Sequence, residues 1–313
     1  MNHQKREGLV KSVLFVFSIT ASLILLLIII FLFNEAIHLF QEVSFLDFLF
    51  GTKWNPEQGL YGAFPFVFFS IMATLGALII AIPLGVSCAV FLAEIAPGWA
   101  RDATRPVIEL LAGIPSIIYG LFGLVIIVRF IKVSLELATG ETILAGSIIL
   151  AAMILPIIIS ISQDSIESVP KSFKLGSLAM GATNWQTLRK IILPTALPGI
   201  FAGIILGVGR AMGETMAVVL VLGNSENMPE VVKQLLGKDG SSTVMQLINQ
   251  VPEILFKPGE ALTSAILLEM GPAQVGGLHY SALFALGVIL FCITFVLSVA
   301  SNYILSRSQI SVR

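Results

Sequence analysis

The sequence predicts an all-α polytopic membrane protein with six transmembrane helices, on three observations. Of 313 residues (33.6 kDa), 56% are hydrophobic and 12% charged, whereas a soluble domain carries about 25% charged residues. Half the usual charge cannot coat a water-facing surface. Mean hydropathy is +0.95. Charge-free windows of about 20 residues, enough to cross a hydrocarbon core, recur along the chain. The same composition excludes other classes. With 27 Gly and 2 Cys the chain is neither collagen-like nor disulfide-stapled. Its apolar content excludes disorder, and a net charge of −1 excludes a nucleic-acid binder held by bulk electrostatics.

The first window, residues 12–33, follows Lys5, Arg6 and Lys11. At 22 residues it exceeds a signal-peptide core of roughly 7–15, and no small-x-small cleavage site follows, so it reads as a retained span. The second span lies in the uncharged stretch 58–93, placed from Pro65 to Ala93. The third covers 110–128 and the fourth 142–163. The fifth occupies 191–225, interrupted only by Arg210 and Glu214, and the sixth lies in 270–306, centred on 280–305. With the N-terminus cytoplasmic, the inner segments hold 11 Lys and Arg against 6 outside, with Arg210 left in the membrane. The positive-inside rule then places both termini inside. The expected division is a tail, peripheral span and outer loop over 1–64, and a five-helix core over 65–305. That core contains an inner loop at 164–195 and a long outer loop at 224–279, and a tail over 306–313 follows it.

Ala73, Ala77, Ala81, Gly85, Ala89 and Ala93 recur every fourth residue along the second span, and Gly199, Gly203 and Gly207 along the fifth. Lipid supplies no hydrophobic drive between helices, so close backbone approach through such stripes is a main packing device. Spans two and five are therefore expected in the core, and span one, rich in Leu, Ile and Phe, at the periphery. Cys88 and Cys292 fall within spans and say nothing about redox compartment. His3, His38 and His279 show no metal-ligand spacing and read as solvated residues.

Arg210 and Glu214 are the unusual residues. An arginine at the centre of a span costs about 2.5–3.5 kcal/mol and normally faces a cavity or a partner. Spaced i,i+4, the two share one helical face. They form either an internal ion pair that fixes packing, or a site where the guanidinium fork meets a passing oxyanion. In the second case Glu214 either holds the arginine when the passage is empty or repels the anion once it has been delivered. Pro115 in the third span removes a helical hydrogen bond, so its kink faces either neighbouring helices or a water-filled path, with Ser116 and Tyr119 as hydroxyl donors. Glu94 and Glu109, near span ends, read as interfacial.

The inner loop over 164–190 reads as two short helices. Pro170 suits a helix start, Gly181 a left-handed cap, and Thr183 or Asn184 a second N-cap, with Pro194 at the return to the membrane. Phe173, Leu175, Leu178, Ala179 and Met180 give it an apolar surface that either lies on the bilayer or docks a partner. In the outer loop, 244–256 has the spacing of a short amphipathic helix interrupted by Pro252.

Gly181, nine residues, then Ile191-x-Leu193-Pro194 resembles the coupling-loop motif of ABC-importer permeases, EAA-x3-G-x9-I-x-L-P. Leu175-Gly176-Ser177 stands where that family often has Glu-Ala-Ala. The blocks 109–120 (ELLAGIPSIIYG), Gly181-Ala182-Thr183 and 210–215 (RAMGET) resemble the phosphate-specific permease pair. Trp54-Asn55-Pro56, with Glu269 and 279–283 (HYSAL), is more similar to its PstC-type than its PstA-type member. The resemblance implies a MetI-like permease fold in a prokaryotic inner membrane. It implies a phosphate passage at Arg210, Glu214, Ser116 and Tyr119, and an ATPase-coupling surface at Phe173, Leu175, Leu178, Met180, Gly181 and Ala182. The implied partners are a PstA-type permease, two PstB-type ATP-binding subunits and a PstS-type extracytoplasmic phosphate-binding protein. No cofactor is expected on this chain, with ATP and magnesium on the partner ATPase. The chain has no P-loop of its own: Gly237-Lys238 is followed by Asp239, and Val232 stands where the first glycine is needed. The competing expectations are an importer permease for sulfate, molybdate or phosphonate, and a gradient-driven secondary transporter, for which inverted repeats are wanting. An intramembrane enzyme lacks His or Asp in the spans.

Overall fold

The computed structural model describes residues 3–225 and 254–310. Among them, six helices are long and apolar enough to cross a membrane: Val10–Leu39, Phe64–Ile95, Ser116–Ser134, Ile143–Glu167, Asn184–Met212 and Leu278–Ala300. Of the helix expected over 244–256, all but the last three positions lie outside the described residues.

Two spans differ from expectation, each for a backbone reason. The third begins at Ser116, because the chain leaves helix at Gly113, and Pro115, with φ −56° and ψ 135°, occupies the cap position. Proline has no N–H to continue a ladder and forces extended backbone on the residue before it. The residues before that break, expected within the span, instead end a separate helix, Gly98–Ala112. The fifth span starts earlier, at Asn184, and ends at Met212, where Gly213 caps it. A new short helix, Met216–Val221, follows. Wide helical turns over Phe91–Ile95 and Leu188–Ile192 end the second span and precede Pro194. The second of these relieves crowding between the proline ring and the carbonyl one turn back.

The fourth span is the core, a place the sequence did not single out for it. In its most apolar window 61% of residues are buried, against 28% in each of the second and fifth. The small-residue stripes explain this, because both face the fourth span. A Cβ on Gly85 would lie 2.8 Å from Ile158 Cγ2, and one on Gly207 would lie 3.3 Å from Ile158 Cγ1. The fully buried Ile158 is thus held between two glycines of different helices. Ser147 sits over Gly76 and donates its hydroxyl to the Ile143 and Ala73 carbonyls (2.8 and 3.2 Å). The first span is peripheral, as its composition suggests: none of its apolar window is buried. It leans on the sixth through edge-to-face pairs Phe31–Phe284 and Phe33–Phe291, with centroids 5.5 and 6.3 Å apart.

At the end of the bundle away from the 164–190 loop, a two-stranded antiparallel hairpin (β1, Trp54–Asn55; β2, Leu60–Tyr61) caps spans two and six. The Trp54 indole N–H donates to both Glu269 carboxylate oxygens (2.9 and 3.0 Å), and His279 Nε2 lies 2.7 Å from Glu269 Oε2. His279 is therefore not the solvated residue expected, but one arm of a partly buried cluster. Two segments far apart in sequence, around Trp54 and over 269–279, converge there.

Candidate functional site

The expected Arg210–Glu214 ion pair does not form. The i,i+4 geometry needs an unbroken helix, and the helix stops between the two residues. Gly213 N–H still donates to Gly209 O (3.2 Å), but Glu214 N–H reaches only Ala211 O (3.4 Å), as the chain tightens and leaves the helical path. The Glu214 carboxylate instead accepts the Ala217 N–H at 3.4 Å, at the start of Met216–Val221. Its backbone carbonyl accepts the Thr263 hydroxyl at 2.8 Å. Glu214 thus serves the break itself and makes no ion pair with Arg210 in this structure. Behind the break lies a cavity of about 10 Å³, bounded by Ser70, Thr74, Glu214 and Thr263 among others. That is the room of one water molecule.

Arg210 is exposed on the isolated chain and makes no ion pair among the described residues. Beside it stands the break in the third span. The Tyr119 hydroxyl donates to Leu111 O (2.9 Å), taking up a carbonyl in the last turn of Gly98–Ala112. Ser116 opens the new helix and is half-exposed. The two half-helices Ser116–Phe122 and Met216–Val221 meet backbone to backbone: a Cβ on Gly120 would lie 2.9 Å from Ala217 Cα. The result is a pair of adjacent helix breaks, at 113–115 and 213–215, with a lone guanidinium beside them. The fold therefore sets the break that carries Tyr119 beside the break that follows Arg210, and turns Glu214 to another task. Gly209, Gly213 and Thr215 in one short stretch are the signal by which the second break could have been found.

The loop between spans four and five folds as its caps dictate. Helix Lys171–Ala179 ends where Gly181 takes φ +84°, with Gly181 N–H on Leu178 O (3.0 Å) and Ala182 N–H on Ser177 O (3.2 Å). That pair of bonds is the left-handed glycine cap. Thr183 and Gln186 then form a reciprocal capping box that starts the next helix. Phe173, Leu175 and Met180 are exposed, Met180 by 89%, while Leu178 and Ala182 are half-buried. Trp185, 64% exposed, extends the apolar surface and was not anticipated; an aromatic residue in a polar inner loop was its signal.

Glu94 and Glu109 are paired rather than merely interfacial. Glu94 binds Lys174 of the loop helix, and Glu109 lies 3.4 Å from Arg105, which also reaches Asp164 at 3.1 Å. Arg101 donates to the Leu92 and Ala93 carbonyls (2.9 and 2.7 Å) and lies 3.7 Å from Glu167. The Glu94–Lys174 and Arg101–Glu167 contacts border a cavity of about 510 Å³ between the loop helix and the ends of spans two and four.

Residues 81–309 match the model of a protein family described as binding-protein-dependent transport system inner membrane component. The chain is 39% identical over 274 residues to the probable ABC transporter permease protein YqgH of Bacillus subtilis, spanning 87% of this chain and 81% of that one. It is 33% identical over 317 residues to the phosphate transport system permease protein PstC of Mesorhizobium japonicum, with coverage of 93% and 90%. Among solved structures it superposes on the inward-facing MetNI methionine ABC transporter with a TM-score of 0.56 at 17% identity, covering 82% of this chain and 99% of that one. It also superposes on a bacterial alginate ABC transporter in complex with a pentasaccharide-bound periplasmic protein, with a TM-score of 0.59 at 16% identity and coverage of 97% and 96%. At such identities the likeness is one of fold.

Proposed function

The chain belongs to the family of binding-protein-dependent transport system inner membrane components, and on that premise we propose that this ABC-importer permease subunit forms half of a phosphate passage. The observation that carries the proposal is Arg210, a permanent cation in a span, which makes no ion pair among the described residues and stands beside two helix breaks. In the last turn of that span the guanidinium is exposed and able to meet an anion, and its planar fork suits tetrahedral oxyanions. Kinship at 33% identity with PstC proteins over most of the chain supports phosphate among those anions.

In this reading a PstA-type permease completes the passage. An extracytoplasmic PstS-type protein delivers phosphate, and two PstB-type ATPases bind the face formed by Phe173, Leu175, Met180 and Trp185. Both termini lie in the cytoplasm of a prokaryote. ATP and magnesium sit on the ATPases, whose closure moves the loop helices and switches the passage between outward and inward access. Arg210 meets the anion. Ser116 and Tyr119 line the approach, Tyr119 holding Leu111 in place. No bond is made or broken on this chain, so it needs no catalytic residue.

The test is Arg210→Gln in the complete complex reconstituted into vesicles. Phosphate uptake should be abolished, with assembly and basal ATP hydrolysis retained. Uptake at the wild-type rate would refute a transport role for Arg210. Competition by sulfate, molybdate and phosphonate separates the oxyanion readings, and uptake that survives ATP depletion would favour a gradient-driven carrier.

A further inference from the structure

The end of the bundle that carries the loop helix holds a relay of charges that the passage does not use. Helix Lys171–Ala179 contains no acidic residue. Two side-chain bonds tie it down among the described residues. The Ser177 and Thr187 hydroxyls meet at 2.9 Å, but both belong to the same loop. The other bond, Lys174 to Glu94, leaves the loop for the second span. Glu94 is well buried for a charged group, with 17% of its side chain exposed. It sits in the wide turn Phe91–Ile95, whose Leu92 and Ala93 carbonyls are taken by Arg101. Arg101 in turn faces Glu167 at the end of the fourth span.

The connectivity gives this relay its meaning. The loop continues covalently into spans four and five, so a displacement of its helix reaches them through the backbone. It has no chain connection to the second span. Elsewhere the helix and the ends of spans two and four face each other across the 510 Å³ cavity bounded by Glu94, Arg101, Glu167, Lys171 and Lys174. The Ala stripe packs span two on span four around Ser147 and Ile158, and packed helices can shift against each other by shear. The end of span two packs through Ala89 and Ala93 against Leu188 and Ile192 at the far end of the loop, and it meets helix Lys171–Ala179 itself through the Glu94–Lys174 pair.

We propose that the Glu94–Lys174 pair is the positioning contact that makes the second span follow the ATPase-facing helix, with Arg101 carrying the linkage on to Glu167. This rests on the reading of the chain as an ATP-driven importer subunit. Neither Glu94 nor Lys174 touches the transported anion. They act on the ratio of substrate moved to ATP consumed.

The experiment uses the complete complex in vesicles, measuring phosphate moved per ATP hydrolysed. Glu94→Gln and Lys174→Met should assemble and hydrolyse ATP, with the ratio down roughly tenfold, inside the range of ordinary coupling energies. The charge-reversed double variant Glu94→Lys/Lys174→Glu should restore most of it. An unchanged ratio in Glu94→Gln overturns the proposal, as does a loss that reversal fails to repair. A fall in yield at a constant ratio marks a merely structural strut and overturns it too. A second readout does not depend on the substrate. With Cys88 and Cys292 replaced by Ala, an environment-sensitive dye at Leu84→Cys on the exposed face of span two should shift on trapping with ATP and vanadate. The shift should vanish in Glu94→Gln; a shift of equal size there overturns the inference. A wild-type complex that shows the shift but moves no phosphate would defeat the phosphate reading and leave this one standing.

Discussion

Replacing Gly199 by Ala should loosen the core more than its single methyl suggests. Gly199 on the fifth span faces Ser165 on the fourth, where a Cβ would overlap Ser165 Oγ and lie 2.5 Å from Ser165 Cβ. Swinging the hydroxyl away gives up its bond to Ala196 O (2.9 Å), worth about 1 kcal/mol. The Cβ remains in any rotamer, so the helices must part by about 1 Å to reach carbon–carbon contact distance, at an overpacking cost of about 1–3 kcal/mol. The sum is about 2–4 kcal/mol, partly offset by about 1 kcal/mol because alanine favours helix over glycine. Gly209→Ala on the same helix receives that gain with nothing within 4 Å of the new methyl. The difference between the two variants therefore isolates the clash. Gly207→Ala, 3.3 Å from Ile158 Cγ1, should fall between them. The assay is denaturation of the purified protein in detergent, and Ser165→Gly should rescue Gly199→Ala by reopening the gap. If Gly199→Ala unfolds within about 0.5 kcal/mol of Gly209→Ala, the stripe is not the tight seam described and the reasoning fails.

Gly181→Val puts a β-branched residue at φ +84°, where an L side chain costs about 1–2 kcal/mol. The loop helix should lose its cap, and stimulation of ATPase activity by loaded binding protein should disappear; unchanged stimulation would count against this. Met180→Asp, on an 89% exposed side chain, should leave the chain's own stability unchanged while weakening co-purification of the ATPase. Thr183→Ala breaks the capping box and should cost about 1 kcal/mol of local stability, visible as faster amide exchange over 184–187. Burial, then the charges of Glu42 and Glu269, push the Tyr61 phenol above its ordinary 10.0. The folded protein thus holds that proton more tightly than the unfolded chain, so stability should decline as pH rises past 10.0. Tyr61→Phe should flatten that decline, and an identical pH profile in the variant would show that Tyr61 is not its source.

Much of this molecule was legible because the deciding interactions are local. Apolar length marks a span, whatever it packs against. Gly181, Thr183 and Pro170 punctuate the loop through their own backbone preferences, and the structure follows them residue by residue. The Ala and Gly ladders announced close helix contacts without naming the partner. Pro115 was visible as a disturbance, but that it ends the helix, with the Leu111 carbonyl taken by the Ile114 N–H and the Tyr119 hydroxyl, is seen only in the folded chain. At Arg210 and Glu214 a correct local rule was applied to a helix that stops at Gly213.

From sequence alone came the membrane class, the six crossings, the exposed apolar loop and the arginine stranded among them, since each is a cost or preference that a residue carries wherever it goes. Tertiary structure alone decided which span is the core, that Glu214 serves a helix break, and that Glu94 meets Lys174. It also decided that Trp54, Glu269 and His279 share one cluster. Those are choices of partner between segments distant along the chain. A side chain's charge and shape restrict such a choice, but only the packed arrangement of all six helices selects it.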